Sequence, residues 1–147
     1  MRVVLTRVKN ARVEIEGQVV GEIGPGFLLL LGVGREDNEE DAQYCADRVC
    51  GLRVFEDETG RMNLSPEAVG AEMLVISQFT LYADISKRRP GFTGAAAPEV
   101  AVPLYERFMS LLRERGFRVA CGRFGADMQV YSQNDGPVTI LVDSRAR

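Results

Sequence analysis

The chain has 147 residues, 46% of them hydrophobic and 27% charged, and its formal net charge is −3. This length suits one domain with its own core, so we expect a single domain over residues 1–147. The composition is typical of a soluble globular protein, and the negative charge argues against a strongly basic nucleic-acid binder. Because no apolar run could span a bilayer and no signal-peptide pattern is present, we expect a cytoplasmic protein without membrane contact.

Four strands are predicted in the first quarter of the chain. The first two contain alternating β-branched and polar residues, as half-buried strands do, and the third follows a predicted tight turn at Gly17-Gln18. The fourth is apolar on both faces, which is typical of a central strand that is covered on both sides. These predicted strands are residues 2–8, 11–16, 19–23 and 27–33.

Two helices are predicted farther along the chain. The first begins at Asp37 or Asn38, either of which can cap it, and runs to about residue 52. The second begins at Pro98 or Pro103 and stops at Gly116. The residues predicted to face the core are Ala42, Cys45, Ala46 and Val49 in the first helix, and Leu104, Phe108, Leu111 and Leu112 in the second.

The three cysteines indicate neither a disulfide framework nor a zinc site. Cys45, Cys50 and Cys121 are odd in number and contain no Cys-x-x-Cys spacing, and the first two are predicted to be core residues. The acidic turn at residues 56–58 lacks the spaced ligands of a calcium-binding loop. We therefore expect no metal and no cofactor.

The order of the elements predicts the fold class. Further strands are predicted at residues 53–55, 73–76, 118–121, 128–132 and 138–142. About eight strands and two helices without regular βαβ alternation indicate a mixed α/β fold. We expect a compact domain of two packed, barrel-like β-sheets with the two main helices covering one side, as three layers in the order α/β/β.

The absence of histidine limits the chemistry that side chains can perform. It excludes the Ser-His-Asp and Cys-His arrangements of common hydrolases. Hydroxyl groups remain at Ser77, Thr80, Ser132 and Thr139, but a strand hydroxyl such as that of Thr80 is more commonly bonded to the backbone than used as a nucleophile. An enzyme of this composition would depend on backbone groups, hydroxyls or the substrate itself.

The most unusual backbone feature is the hexapeptide Asn134-Asp135-Gly136-Pro137-Val138-Thr139 between two β-rich runs. Glycine permits dihedral angles that other residues avoid, and proline fixes φ and has no N–H donor. Only X-Pro bonds adopt the cis form at modest cost. The residues alone indicate a specialised backbone conformation and leave its function open.

This hexapeptide and the earlier segment Ser77-Gln78-Phe79-Thr80-Leu81 closely resemble two motifs of the D-aminoacyl-tRNA deacylase family. The resemblance covers essentially the whole chain, including residues 53–57, 60–65 and 122–128. It implies a homodimer of mixed α/β subunits that hydrolyses the ester between a D-amino acid and the 3′-terminal adenosine of tRNA. The implied partners are the 3′ end of aminoacyl-tRNA and a second subunit, and no DNA partner is expected.

The resemblance also implies a role for the Gly-Pro pair. Gly136 and Pro137 would form a cis peptide that projects into the active site of the partner subunit, with Arg7 bracing its backbone. Their carbonyl groups would receive the substrate amino group and clash with an L side chain. Because a clash cannot exclude a smaller group, glycyl-tRNA is a further expected substrate, including glycine mischarged on tRNA-Ala.

The pocket and its chemistry follow from the same resemblance. The residues that would line the pocket are Ser77, Gln78, Phe79 and Thr80. The backbone N–H groups of Phe79 and Thr80 would stabilise the developing oxyanion, and the free 2′-hydroxyl of the terminal ribose would handle the proton. Such a mechanism needs no histidine.

Several alternatives remain open at this level. Thr80 could act as the nucleophile of an esterase, or the fold could serve as a non-catalytic tRNA- or nucleic-acid-binding module, or as a structural dimer. One segment departs from the family: residues 84–92 are one residue shorter than usual, and Gly91 replaces a common serine. Substrate contacts by Lys87, Arg88 or Arg89 therefore do not follow from the resemblance.

Overall fold

Eight strands, two α-helices and one 3₁₀ turn make up the computed structural model, which describes residues 1–147. In chain order they are β1 (Arg2–Ile15), β2 (Gln18–Ile23), β3 (Gly26–Gly32), α1 (Glu39–Gly51), β4 (Phe55–Glu56), β5 (Met62–Leu64), β6 (Glu72–Ser77), the 3₁₀ turn Phe79–Tyr82, α2 (Pro98–Glu114), β7 (Val119–Cys121) and β8 (Gln129–Asp143).

One long strand organises the sheet. β1 pairs antiparallel with β3 along its first half and with β2 along its second half. β8 also pairs antiparallel with nearly the whole of β1. The strands predicted separately at residues 2–8 and 11–16 are therefore continuous, and so are those predicted at 128–132 and 138–142, because each long strand supports the other.

The sheet curls into an almost closed barrel. β3 pairs in parallel with β6, and β6 in parallel with β7. At the far end, Arg118 donates to the Glu22 carbonyl of β2 at 2.9 Å, which joins the last strand of the series to the first. β4 and β5 form a separate two-stranded sheet. The predicted barrel-like mixed α/β fold with two helices is confirmed, and most of its strands belong to one curved six-stranded sheet.

Two hydrophobic clusters lie on opposite faces of β3. Phe27 and Leu29 belong to a cluster of 21 buried residues between the sheet and the helices. Leu28 belongs to a smaller cluster of seven buried residues with Leu74 and Ile76 of β6. β3 is thus covered on both faces, as its uninterrupted apolar sequence predicts.

The two helices pack on one side of the sheet. Asn38 caps α1 by accepting a hydrogen bond from the Glu40 N–H at 2.9 Å, and the Asp41 carboxylate accepts one from the Asn38 N–H at 2.9 Å. All four residues predicted to be buried in α1, and Cys50, are buried. No helix is both long enough and apolar enough to cross a membrane.

The predicted inner face of α2 is only partly correct. Phe108 and Leu112 are buried, but Leu104 and Leu111 are half-buried. Tyr105 and Met109 occupy the core instead. The Tyr105 hydroxyl donates to the Val75 carbonyl at 3.2 Å, and this bond fixes the rotation of the helix against the sheet.

Candidate active site

A cavity of about 260 Å³ lies at the end of β6. Ser77, Gln78 and Phe79 form one wall, and residues 124–128 form another between β7 and β8. Because β6 and β7 pair in parallel, the chain leaves both strands at the same edge of the sheet. The fold thereby brings together two segments that are distant in the sequence.

The backbone at this edge offers two free hydrogen-bond donors. Gln78 donates its N–H to the Leu31 carbonyl at 2.8 Å, and the Leu81 N–H donates to the Gln78 carbonyl at 3.2 Å. Between them, the N–H groups of Phe79 and Thr80 donate to no backbone carbonyl. The first N–H groups of a helical turn have no partner within the turn, and here they lie beside a cavity. Such a pair can bind an anionic oxygen.

The cavity lining contains a single side chain that could act as a general base. Asp127 is its one ionisable side chain, and the other lining residues are apolar or neutral. Thr80 lies next to the lining rather than in it, and its hydroxyl accepts a short hydrogen bond from the Gln78 amide. That partner is a donor and could not remove the hydroxyl proton. The site can therefore position and polarise a substrate but offers Thr80 no activating base.

The Gly-Pro segment forms a bulge out of the β1–β8 ladder. Thr6 lies opposite Thr139, but Val8 lies opposite Asn134, so residues 135–138 all oppose the single residue Arg7. The Gly136–Pro137 peptide bond is cis, as the resemblance implies. Both residues are exposed, and neither lines the cavity of its own chain.

Arg7 holds the root of this bulge. Arg7 is 4% exposed, and its side chain donates from Nε to the Asp135 carbonyl at 3.0 Å and from Nη1 to the Val54 carbonyl at 2.6 Å. The carboxylates of Asp135 and Glu56 lie 3.6 and 4.0 Å away. The two carbonyl bonds tie the bulge to the segment before β4, because both depend on one buried guanidinium.

A larger and more open concavity of about 510 Å³ borders Gly34, Tyr82 and Arg145. Its acid Asp37 binds the N-terminal ammonium of Met1 at 2.7 Å and the Gly34 N–H at 2.7 Å. These contacts join the start of β1 to the turn before α1. We therefore assign Asp37 a role in the stability of the fold.

The model of the D-Tyr-tRNA(Tyr) deacylase family matches residues 4–143 of the chain. The chain belongs to this family. It is accordingly a hydrolase of the deacylase class.

Individual relatives agree with the family assignment. The chain is 57% identical over 145 residues to the D-aminoacyl-tRNA deacylase of Symbiobacterium thermophilum, covering 98% of this chain and 96% of that protein. A solved structure named c-Myc DNA Unwinding Element Binding Protein has a TM-score of 0.92 and 38% identity, covering 97% and 98% of the two chains. The solved structure of a probable eukaryotic D-amino acid tRNA deacylase has a TM-score of 0.84 and 17% identity, covering 97% of this chain and 98% of that one. This similarity supports the fold alone.

The predicted site residues form two separate groups in this deacylase. Ser77, Gln78 and Phe79 line the cavity with Thr80 beside them, whereas Arg7 lies at the exposed Gly-Pro bulge. The wall at residues 124–128 was not predicted as part of the site. The structure shows that this segment returns closely on itself, because a Cβ on Gly122 would lie 2.4 Å from the Met128 sulfur, but no sequence pattern indicates that contact.

Proposed function

We propose that this deacylase hydrolyses the ester bond of D-aminoacyl-tRNA and releases the free D-amino acid and tRNA. The observation that supports this most directly is the pair of free N–H groups at Phe79 and Thr80, which lie beside a cavity whose one ionisable side chain is Asp127. An aminoacyl ester is already activated. Its hydrolysis therefore needs mainly a positioned water and a stabilised oxyanion.

In the proposed reaction, water adds to the ester carbonyl carbon. The Phe79 and Thr80 N–H groups donate to the carbonyl oxygen as it becomes negative. The tetrahedral intermediate collapses, the bond to the ribose 3′-oxygen breaks, and the water proton reaches that oxygen through the neighbouring 2′-hydroxyl. No covalent intermediate on Thr80 is required.

We further propose that the protein is a homodimer in which each Gly-Pro bulge enters the cavity of the partner subunit. Gly136 and Pro137 are exposed and do not line the cavity of their own chain. β8 pairs only with β1, so its other edge is free, and it exposes the apolar side chains Val130, Tyr131 and Leu141. A long edge strand with exposed apolar residues is suited to contact with a second copy.

The bulge would select the chirality of the substrate. The carbonyl groups of Gly136 and Pro137 would accept hydrogen bonds from the substrate ammonium and occupy the space of an L side chain. Glycine has no side chain to exclude, so glycyl-tRNA, including glycine mischarged on tRNA-Ala, would also be hydrolysed.

A deacylation assay on matched D-, L- and glycyl-tRNA tests this function. We expect hydrolysis of the D-aminoacyl and glycyl esters, with the L-aminoacyl ester intact at the same enzyme concentration. Hydrolysis of the D-aminoacyl, L-aminoacyl and glycyl esters at equal rates would contradict chiral selection. An intact glycyl ester would contradict selection by steric exclusion.

A nucleic-acid-binding function is the second candidate, because the solved structure at 38% identity is named as a DNA-element-binding protein. Such a module would bind tRNA or duplex DNA without turnover. Measuring binding to a DNA duplex and to uncharged tRNA beside the deacylation assay separates the two. Strong duplex binding with no ester hydrolysis would favour the binding module.

A further inference from the structure

A basic loop next to the cavity contains three cations in succession. We define this basic loop as residues 84–92. Its two ends are joined by hydrogen bonds from the Asp84 N–H to the Gly91 carbonyl at 2.8 Å and from the Gly91 N–H to the Asp84 carbonyl at 2.9 Å. Lys87, Arg88 and Arg89 lie between these ends and are all exposed.

The fold does not use these three charges. None of them forms an ion pair or a side-chain hydrogen bond within the chain. By contrast, seven of the 18 lysines and arginines are in ion pairs, namely Arg2, Arg7, Arg12, Arg107, Arg115, Arg118 and Arg145. Three adjacent cations without an acidic partner repel one another, so the basic loop is a local positive surface on a protein of net charge −3.

The base of the basic loop contacts the wall of the cavity. Phe92 packs against Phe79 in an edge-to-face arrangement, with ring centroids 5.0 Å apart and an interplanar angle of 70°. Phe79 itself lines the cavity. The closed ends of the loop and this aromatic contact therefore anchor the base of the basic loop beside the cavity wall.

We infer that the basic loop binds the phosphate backbone of the tRNA acceptor end while the ester occupies the cavity. This inference rests on the proposed function, because it assigns a binding surface to the same substrate. Lysine binds phosphate as a point charge, and arginine can do so through two parallel N–H bonds. The phosphates concerned are those of the nucleotides that precede the terminal adenosine, since these must leave the cavity across its rim.

The test compares two esters of the same D-amino acid. D-aminoacyl-tRNA contains the phosphate backbone, whereas D-aminoacyl-adenosine contains the ester and ribose without phosphate. In the triple variant Lys87→Ala, Arg88→Ala, Arg89→Ala, we expect kcat/KM for the tRNA ester to fall by at least about tenfold. We expect kcat/KM for the adenosine ester to stay unchanged, which shows that the folded site is intact.

Salt dependence provides a second measurement. The logarithm of the binding constant falls linearly with the logarithm of the salt concentration, and each phosphate contact to a single strand makes this slope steeper by roughly 0.7. Loss of three contacts should therefore reduce the slope for the tRNA ester by about 2. The variant Arg88→Lys, Arg89→Lys retains the charges and should retain most of that slope.

A matched control removes the same charge elsewhere. The triple variant Arg48→Ala, Arg113→Ala, Arg147→Ala removes three exposed arginines without acidic partners, two from the helices and one from the C-terminal segment beside α1. We expect its tRNA kinetics and salt slope to match those of the wild type. Three outcomes would overturn the inference. They are an equal fall in kcat/KM for the tRNA ester in both triple variants, no fall in the basic-loop variant, and an equal fall for the tRNA and adenosine esters in the basic-loop variant. If the wild type hydrolyses neither ester, the proposed function fails instead.

Discussion

At the residue scale, the role of Thr80 separates the two possible mechanisms. Its hydroxyl accepts a hydrogen bond from the Gln78 amide, and no base contacts it. Its N–H is free and remains in an alanine variant. We therefore predict that Thr80→Ala retains kcat within about tenfold of the wild type, since it removes one side-chain contact and leaves the oxyanion donors in place. Single-turnover deacylation of D-aminoacyl-tRNA measures this.

The substrate variant is the matched comparison for Thr80→Ala. A tRNA ending in 2′-deoxyadenosine lacks the group to which we assign proton transfer, so wild-type hydrolysis should slow by about 100-fold or more. Full activity on the deoxy substrate, together with an inactive Thr80→Ala enzyme, would instead support a threonine nucleophile.

Arg7 provides the second residue-scale prediction. Truncation of its side chain in Arg7→Ala leaves the buried carbonyl of Val54 and the partly buried carbonyl of Asp135 without their donor. We expect a loss of about 3 kcal/mol in the free energy of unfolding. The contacts to Glu56 and Asp135 carboxylates add little, because both carboxylates are substantially exposed. Urea unfolding at neutral pH measures the loss, with Arg48→Ala as an exposed control; equal stability of the two variants would contradict the bracing role.

At the element scale, the bulge in β8 depends on glycine. Gly136 has φ +134°, and a Cβ there would lie 2.8 Å from Val138 Cγ2 and 3.0 Å from Arg7 Nη2. We predict that Gly136→Ala shifts the bulge, costs about 1–3 kcal/mol of stability and weakens the discrimination between D and L esters. The ratio of D to L deacylation rates measures the functional part. Gly60→Ala, at φ +82° with no atom within 4 Å of its Cβ, controls for backbone strain without a clash.

The same elements show what a sequence can predict. The α1 cap and buried face follow from local spacing, so Cys45 was predicted correctly and the cap, Asn38, was one of the two candidates. β8 was divided in two because residues 135–138 interrupt its alternation, and only the long pairing with β1 makes it continuous. The wall at residues 124–128 joins Phe79 through the parallel pairing of β6 with β7, a contact that local periodicity does not encode. The motif residues themselves were found by resemblance to a family rather than by physical pattern.

At the scale of the whole molecule, stability should decrease in alkaline solution. Burial raises the pKa of the Cys45 thiol to about 12 and of the Cys50 thiol to about 11, and burial also raises the pKa values of Tyr82 and Tyr105. These groups stay protonated in the folded state where the unfolded chain releases their protons. The free energy of unfolding is therefore highest below about pH 8.5 and falls above it, by up to about 1.4 kcal/mol per pH unit for each titrating group.

Urea unfolding at pH 7.5, 9.5 and 10.5 measures this decrease. Cys45→Ala removes one of the titrating groups, so its stability should fall less steeply with pH than that of the wild type. A constant free energy of unfolding up to pH 10.5 would show that these groups titrate alike in both states.

The division of the site into two groups makes a prediction about assembly. If each Gly-Pro bulge completes the cavity of its partner, two inactive variants with different defects should restore activity when mixed. Ala126→Arg fills the cavity, and Gly136→Val distorts the bulge. A mixed dimer has one site with an intact cavity and an intact partner bulge. With equal amounts and free exchange, half of the dimers are mixed and each has one working site, so activity should reach about a quarter of wild type. Each variant measured alone, at the same total protein concentration, is the control. The subunits must first be shown to exchange. If the activity of the mixture is then no greater than the summed activities of the two separate variants, either the cavity and the bulge act within one chain or the bulge has no part in the reaction.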